Sequence, residues 1–173
     1  MSRSNFIKFI KSLNEDELRK EMTQLYSNHK DVKNYYSMEL GSDADRKKIY
    51  DKAKVDIRNM YFIKNKARKR PRVAKIKSIL KGLEKIAVFT HETIDINLYT
   101  CGISMEYLSR RPSATKASYN NCLDTFKKSM LLIQKVGMQK EFKDTAKLLI
   151  EDSGSVMFID DELNDAYREA FKS

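Results

Sequence analysis

The sequence predicts an all-α protein: a single domain over residues 1–173, made of about seven or eight antiparallel helices in a helical bundle or short αα-superhelix. Three observations predict it. Only five Gly and two Pro occur in 173 residues, too few to turn many short strands, while Leu, Ile, Lys, Glu, Met and Ala, all good helix formers, are plentiful. Apolar residues recur at helical spacing along most of the chain. The hydrophobic fraction of 41% is enough for the core of one domain of this length, so folding needs no disulfide framework.

Phe6, Ile7, Ile10 and Leu13 predict a short opening helix after Ser4 or Asn5, with one apolar face. Its cations Arg3, Lys8 and Lys11 suit an anionic membrane surface, but docking of the apolar face on the domain explains the pattern equally well. Asn14 and Glu17 have capping-box spacing, and Leu18, Met22, Leu25 and Tyr26 continue a second helix to about Asn28. Asp31 is placed to cap a third, through Val32, Tyr35, Tyr36, Met38 and Leu40, which Gly41 would stop in the left-handed conformation. Ser42 or Asp43 then caps a long helix carrying Ile49, Val55, Ile57, Met60 and Tyr61.

Pro71 prevents that helix from running on, so residues 64–70 are expected to end it or to form the loop before the next. Val73, Ile76, Ile79, Leu80, Leu83, Ile86 and Ala87 mark the next helix. Thr90 reads as the cap of another, with His91, Glu92 and Asp95 at its start, then Ile94, Ile96, Leu98, Met105 and Leu108, closed by Arg110, Arg111 and Pro112. Tyr119, Leu123, Phe126, Met130, Ile133 and Val136 hold one face of a helix ended by Gly137, and Phe142, Ala146, Leu149 and Ile150 mark its return, giving a helical hairpin over residues 115–151. Ser153 and Gly154 break the chain before Val156, Met157, Phe158 and Ile159, and a last helix over about residues 160–172 carries Leu163, Tyr167 and Phe171, with Asp160 and Asp161 as its caps. No repeat of fixed period with matched signature residues is present.

The charge is unevenly placed. Of 34 Lys and Arg, sixteen fall in residues 46–85 against only Asp51, Asp56 and Glu84, a local net of +13. The remaining residues carry 18 cations and 21 acids, a net of −3. The band is densest at Lys64, Lys66, Arg68, Lys69, Arg70, Arg72, Lys75 and Lys77, which makes these eight the candidate polyanion-binding residues. Each phosphate they neutralise would release counterions, and the arginines are suited to bidentate contacts. The start of the helix after Pro71 would add backbone amides favouring anions. Tyr50, Tyr61 and Phe62 interleave with the cations, either as stacking platforms or as part of the apolar stripe. The bland alternative is a solvated charged face.

Other chemistry finds little support. His29, His91, Cys101 and Cys122 show no ligand spacing, and no catalytic, metal or cofactor motif is present. The carboxylates Glu151, Asp152, Asp160, Asp161, Glu162 and Asp165 lack the spacing of a calcium loop and are more simply helix caps or partners for the basic band. The two cysteines read as buried thiols in a reducing compartment, and no apolar run is long enough to span a membrane, so a cytoplasmic location is expected.

The stretch Ser12-Leu13-Asn14-Glu15-Asp16-Glu17-Leu18, then Leu25-Tyr26 and Asp31-Val32-Lys33-Asn34-Tyr35-Tyr36, resembles an uncharacterised, mostly bacterial family built on a domain of unknown function. The likeness extends more loosely through residues 126–130 and 142–144 to Glu151-Asp152-Ser153-Gly154 and residues 161–167. It implies a helical bundle or superhelix, carries no established activity and so supplies no catalytic residues. The residues themselves favour a non-enzymatic binding or adaptor module whose partner is nucleic acid or another polyanion. The alternative is a protein-protein scaffold using a helical-hairpin groove, with the basic band as a solvated face.

Overall fold

Nine helices and one small hairpin make up the described residues, 1–153 and 159–172, of the computed structural model. In chain order they are α1 (Arg3–Ser12), α2 (Glu15–Asn28), α3 (Lys30–Glu39), α4 (Asp43–Tyr61), β1 (Phe62–Ile63), β2 (Lys66–Ala67), α5 (Val73–Ile86), α6 (Thr90–Ser109), α7 (Lys116–Val136), α8 (Gln139–Ser153) and α9 (Asp160–Ala170). The protein is all-α, as the composition implies. Two compact units divide it, Met1–Arg46 and Lys47–Ser173.

In the first unit local capping sets the helix starts. Ser2 accepts the Asn5 amide and so begins α1 earlier than Ser4 or Asn5 would. Asn14 Oδ1 accepts the Glu17 amide at 2.9 Å while Glu17 Oε2 accepts the Asn14 amide at 2.9 Å, the reciprocal pair that the sequence spacing implies. Asp31 is not a cap: α3 starts at Lys30 after His29, which makes no side-chain cap bond, and Asp31 sits in the first turn. Gly41 is not in the left-handed region either. A Cβ there would lie 2.1 Å from the Ser37 carbonyl oxygen, so close backbone approach is what requires glycine. Met38 is fully buried, whereas α1 and α2 bury no residue, and Phe6, Ile7 and Ile10 are exposed.

The second unit is built around α6. That helix is apolar on nearly every side and buries eleven of its residues, against α5, α7 and α8. A Cβ on Gly102 would stand 3.2 Å from Leu149 Cδ2, so the glycine admits α8 closely. Cys101 and Cys122 are free and fully buried where α6 meets α7, each sulfur 3.9–4.0 Å from the other's carbonyl oxygen. Burial pushes both thiols upward, Cys122 to about 11. Gly137 ends α7 in the left-handed conformation at φ 73°, as its position suggests. The two arms of the 115–151 hairpin nevertheless pack less on each other than on α6 and α9. The reason is that α6 offers the larger apolar face.

Further boundaries differ from the sequence reading. Thr90 is the first residue of α6, after Phe89 and without a side-chain cap bond. Asp160 and Asp161 occupy the first turn of α9 after Ile159, where their charge favours the helix dipole without capping. Val55 is exposed, off the buried stripe of Tyr50, Ala53, Ile57 and Tyr61. The break at Gly154 and residues 155–158 lies outside the described residues.

Candidate polyanion-binding surface

The candidate surface begins where α4 stops. Part of residues 64–70, expected as helix end or loop, joins Phe62 and Ile63 in an antiparallel hairpin of two-residue strands in which Phe62 pairs with Ala67 and Ile63 with Lys66. Lys64 and Asn65 take φ of 46° and 63°, the positive values that a tight turn of this kind needs at both central positions. Asn65 tolerates this conformation, but neither residue is glycine, so the sequence carried only a weak turn signal. Phe62 and Ala67 face inward and Ile63 and Lys66 outward, because side chains alternate along a strand.

The carbonyls at the end of α4 are met by residues of the band itself. Arg68 donates its amide to Tyr61 O at 2.9 Å and its Nε to Asn59 O at 2.9 Å, and the Arg72 amide donates to Met60 O at 3.1 Å. These would otherwise be unpaired acceptors at a helix terminus, where a cation is favoured as well. Arg68 therefore caps α4. The Arg72 amide, one of those expected to hold an anion, is occupied.

Arg58 of the band, with Arg110 at the end of α6, ties the hairpin to α6. Arg58 and Arg110 both pair with Glu106, at 2.7 and 2.6 Å, and their guanidinium carbons lie 4.9 and 5.3 Å from the Phe62 ring centre. The hydrogen bonds from Arg58 hold the Glu106 carboxyl below its usual range, against its partial burial. Arg110 also donates to Asn65 O at 3.2 Å. Lys54 pairs with Asp95 at 2.7 Å. The interleaved aromatics are core: Tyr50, Tyr61 and Phe62 are 6%, 1% and 3% exposed, and burial raises the hydroxyls of Tyr50 and Tyr61 well above the ordinary value.

Seven of the eight candidates remain at the surface: Lys64, Lys66, Lys69, Arg70, Arg72, Lys75 and Lys77 are exposed. None of them forms an ion pair among the described residues. Of the acidic residues near the C-terminus, Glu151 pairs with Lys147 and Asp165 with Arg168. Lys81 and Lys85, counted in the band but not among the eight candidates, form with Lys77 one exposed row on α5 at four-residue spacing. Glu84, the acid of that helix, is engaged by Lys128 at 3.0 Å. Among the described residues, no group of three or more His, Cys, Asp or Glu side chains gathers to hold a metal, and no helix is long and apolar enough to cross a membrane.

A second feature is a groove of about 280 Å³ between α7 and α9, floored by Met130, Ala166 and Ala170 beside the exposed Leu131, with Glu162, Asp165 and Glu169 along one side. The groove lies against α9, not within the 115–151 hairpin.

An all-helical protein, with seven exposed cations of residues 64–77 forming no ion pair among the described residues, is what these features define. The chain belongs to a family of unknown function (DUF6155), whose model matches residues 1–169. Neither the curated proteins nor the solved structures contain a match to it.

Proposed function

We propose that this protein is a non-enzymatic binding module that holds nucleic acid, or a polyanion of similar phosphate density, on the surface formed by the β1–β2 hairpin, the loop after it and α5. The observation that supports the reading is the exposure of seven cations within residues 64–77 with no carboxylate partner. Such a cluster repels itself, and an anionic polymer relieves that repulsion while releasing its own counterions. Two free thiols, both buried, suit a reducing cytoplasm. The test is fluorescence anisotropy with labelled DNA and RNA across a salt series, using the native chain and an Arg70→Glu, Arg72→Glu, Lys75→Glu variant. Binding that weakens steeply with salt and disappears in the variant is expected; no binding even at low salt rejects the reading.

The α7–α9 groove favours a second reading, a protein partner. Leu131 is 63% exposed beside an apolar floor, so an apolar side chain of a partner would be recognised there with little dependence on salt.

A further inference from the structure

We infer that the polymer held on this surface is a nucleic acid duplex, gripped by its phosphates without base readout; the inference rests on the polyanion-binding reading and narrows it. Proteins that hold single strands combine cations with aromatic faces on which the bases stack. Here the aromatics within the band are sealed off, and the exposed Phe89 lies beyond the end of α5 with its ring stacked on His91 at 5.6 Å. Tyr50 and Tyr61 are core, the Phe62 ring is covered by Arg58 and Arg110, and residues 63–85 contain no aromatic at all. A flexible single strand laid on this surface would lose conformational freedom with no stacking to offset the loss. A duplex arrives already ordered, with its phosphates outermost.

The arrangement of the cations fits such a rigid partner. Lys77, Lys81 and Lys85 stand one above another on α5, about 6 Å apart along the axis from a rise of about 1.5 Å per residue. Between them the exposed face carries Ala74, Ser78 and Gly82, which leave no bulk in the way, and a Cβ on Gly82 would meet nothing within 4 Å. Lys128 neutralises Glu84, so no carboxylate on this helix opposes the row. The helix face offers no Asn or Gln to pair with adenine edges, and its lysines are compact point charges suited to phosphate.

The experiment compares duplex DNA and duplex RNA of about 20 base pairs, in two unrelated sequences, with their separated strands at equal nucleotide concentration, reading anisotropy against salt. Duplexes should bind at least about tenfold tighter than the strands, with the two sequences within about threefold of each other. The two duplex arms decide between DNA and RNA. A Lys77→Glu, Lys81→Glu, Lys85→Glu variant should lose duplex binding, and a Lys77→Gln, Lys81→Gln, Lys85→Gln variant should lower the salt slope by about 2 to 3, since each lost phosphate contact removes about 0.9. Circular dichroism checks that both variants remain helical. Equal or tighter binding of single strands, or a strong sequence preference, overturns the duplex inference while leaving the polyanion reading intact. Absence of binding to every probe overturns both.

Discussion

Arg58 on α4 meets Glu106 on α6 through two guanidinium nitrogens, at 2.7 and 3.2 Å. The pair joins elements 48 residues apart, and through Phe62 and Arg110 it also holds the hairpin that carries the first exposed cations. Glu106→Gln keeps the shape and removes the charge. Because the folded carboxyl is held below its ordinary value of about 4.3, its contribution is present above that pH and is lost as pH falls through the folded value. Denaturant titration should find Glu106→Gln less stable by about 0.5–1.5 kcal/mol near neutrality, with the gap closing toward pH 3.

Arg68 and Arg70 are two residues apart and should respond oppositely to substitution. Arg68→Ala removes the side-chain donor to Asn59 O while the backbone bonds to Tyr61 O and Met60 O remain, lowering stability by about 1 kcal/mol. Arg70→Ala should leave the melting temperature unchanged and weaken polyanion binding. Thermal denaturation paired with anisotropy separates the two; a destabilised Arg70→Ala would contradict its assignment to the surface.

Two glycines make a matched pair for stability. Gly82 lies in the middle of α5 with open space where a Cβ would go, so Gly82→Ala should stabilise by about 0.5–1 kcal/mol. Gly41→Ala would drive a Cβ to 2.1 Å from the Ser37 carbonyl oxygen, and the backbone must move to accept it. Differential scanning calorimetry should move in opposite directions for the two variants.

The thiols give an alkaline signature. In the unfolded chain Cys122 ionises near about 8.5, whereas in the folded protein it stays protonated to about 11, so its burial contributes fully below the lower value and is lost as pH rises between the two. Stability should fall over this interval, and less so in a Cys122→Ala variant measured against its own value at pH 7. Ellman's reagent should react with both cysteines only after denaturation.

The parts of the fold that were readable from sequence are those fixed within a few residues. The Asn14–Glu17 capping box and the left-handed stop at Gly137 each depend on local backbone chemistry alone. The hairpin was not readable because Lys64 and Asn65 adopt positive φ without the usual glycine, and pairing Phe62 with Ala67 needs α6 behind it. The identity of the cations at the surface was hidden for the same reason. Arg68 finds its acceptor nine residues back only once the chain has turned, so composition could mark the band but could not tell a cap from a free charge.

The turn at Lys64 and Asn65 bears on evolvability. A side chain at positive φ carries a conformational penalty that glycine would avoid, and at position 64 that side chain is a cation pointing away from the core. Economy of folding and retention of charge therefore pull in opposite directions at this one residue. A Lys64→Gly chain would gain an easier turn and give up the outermost charge of the hairpin, which makes position 64 a place where robustness and recognition can be traded by a single substitution.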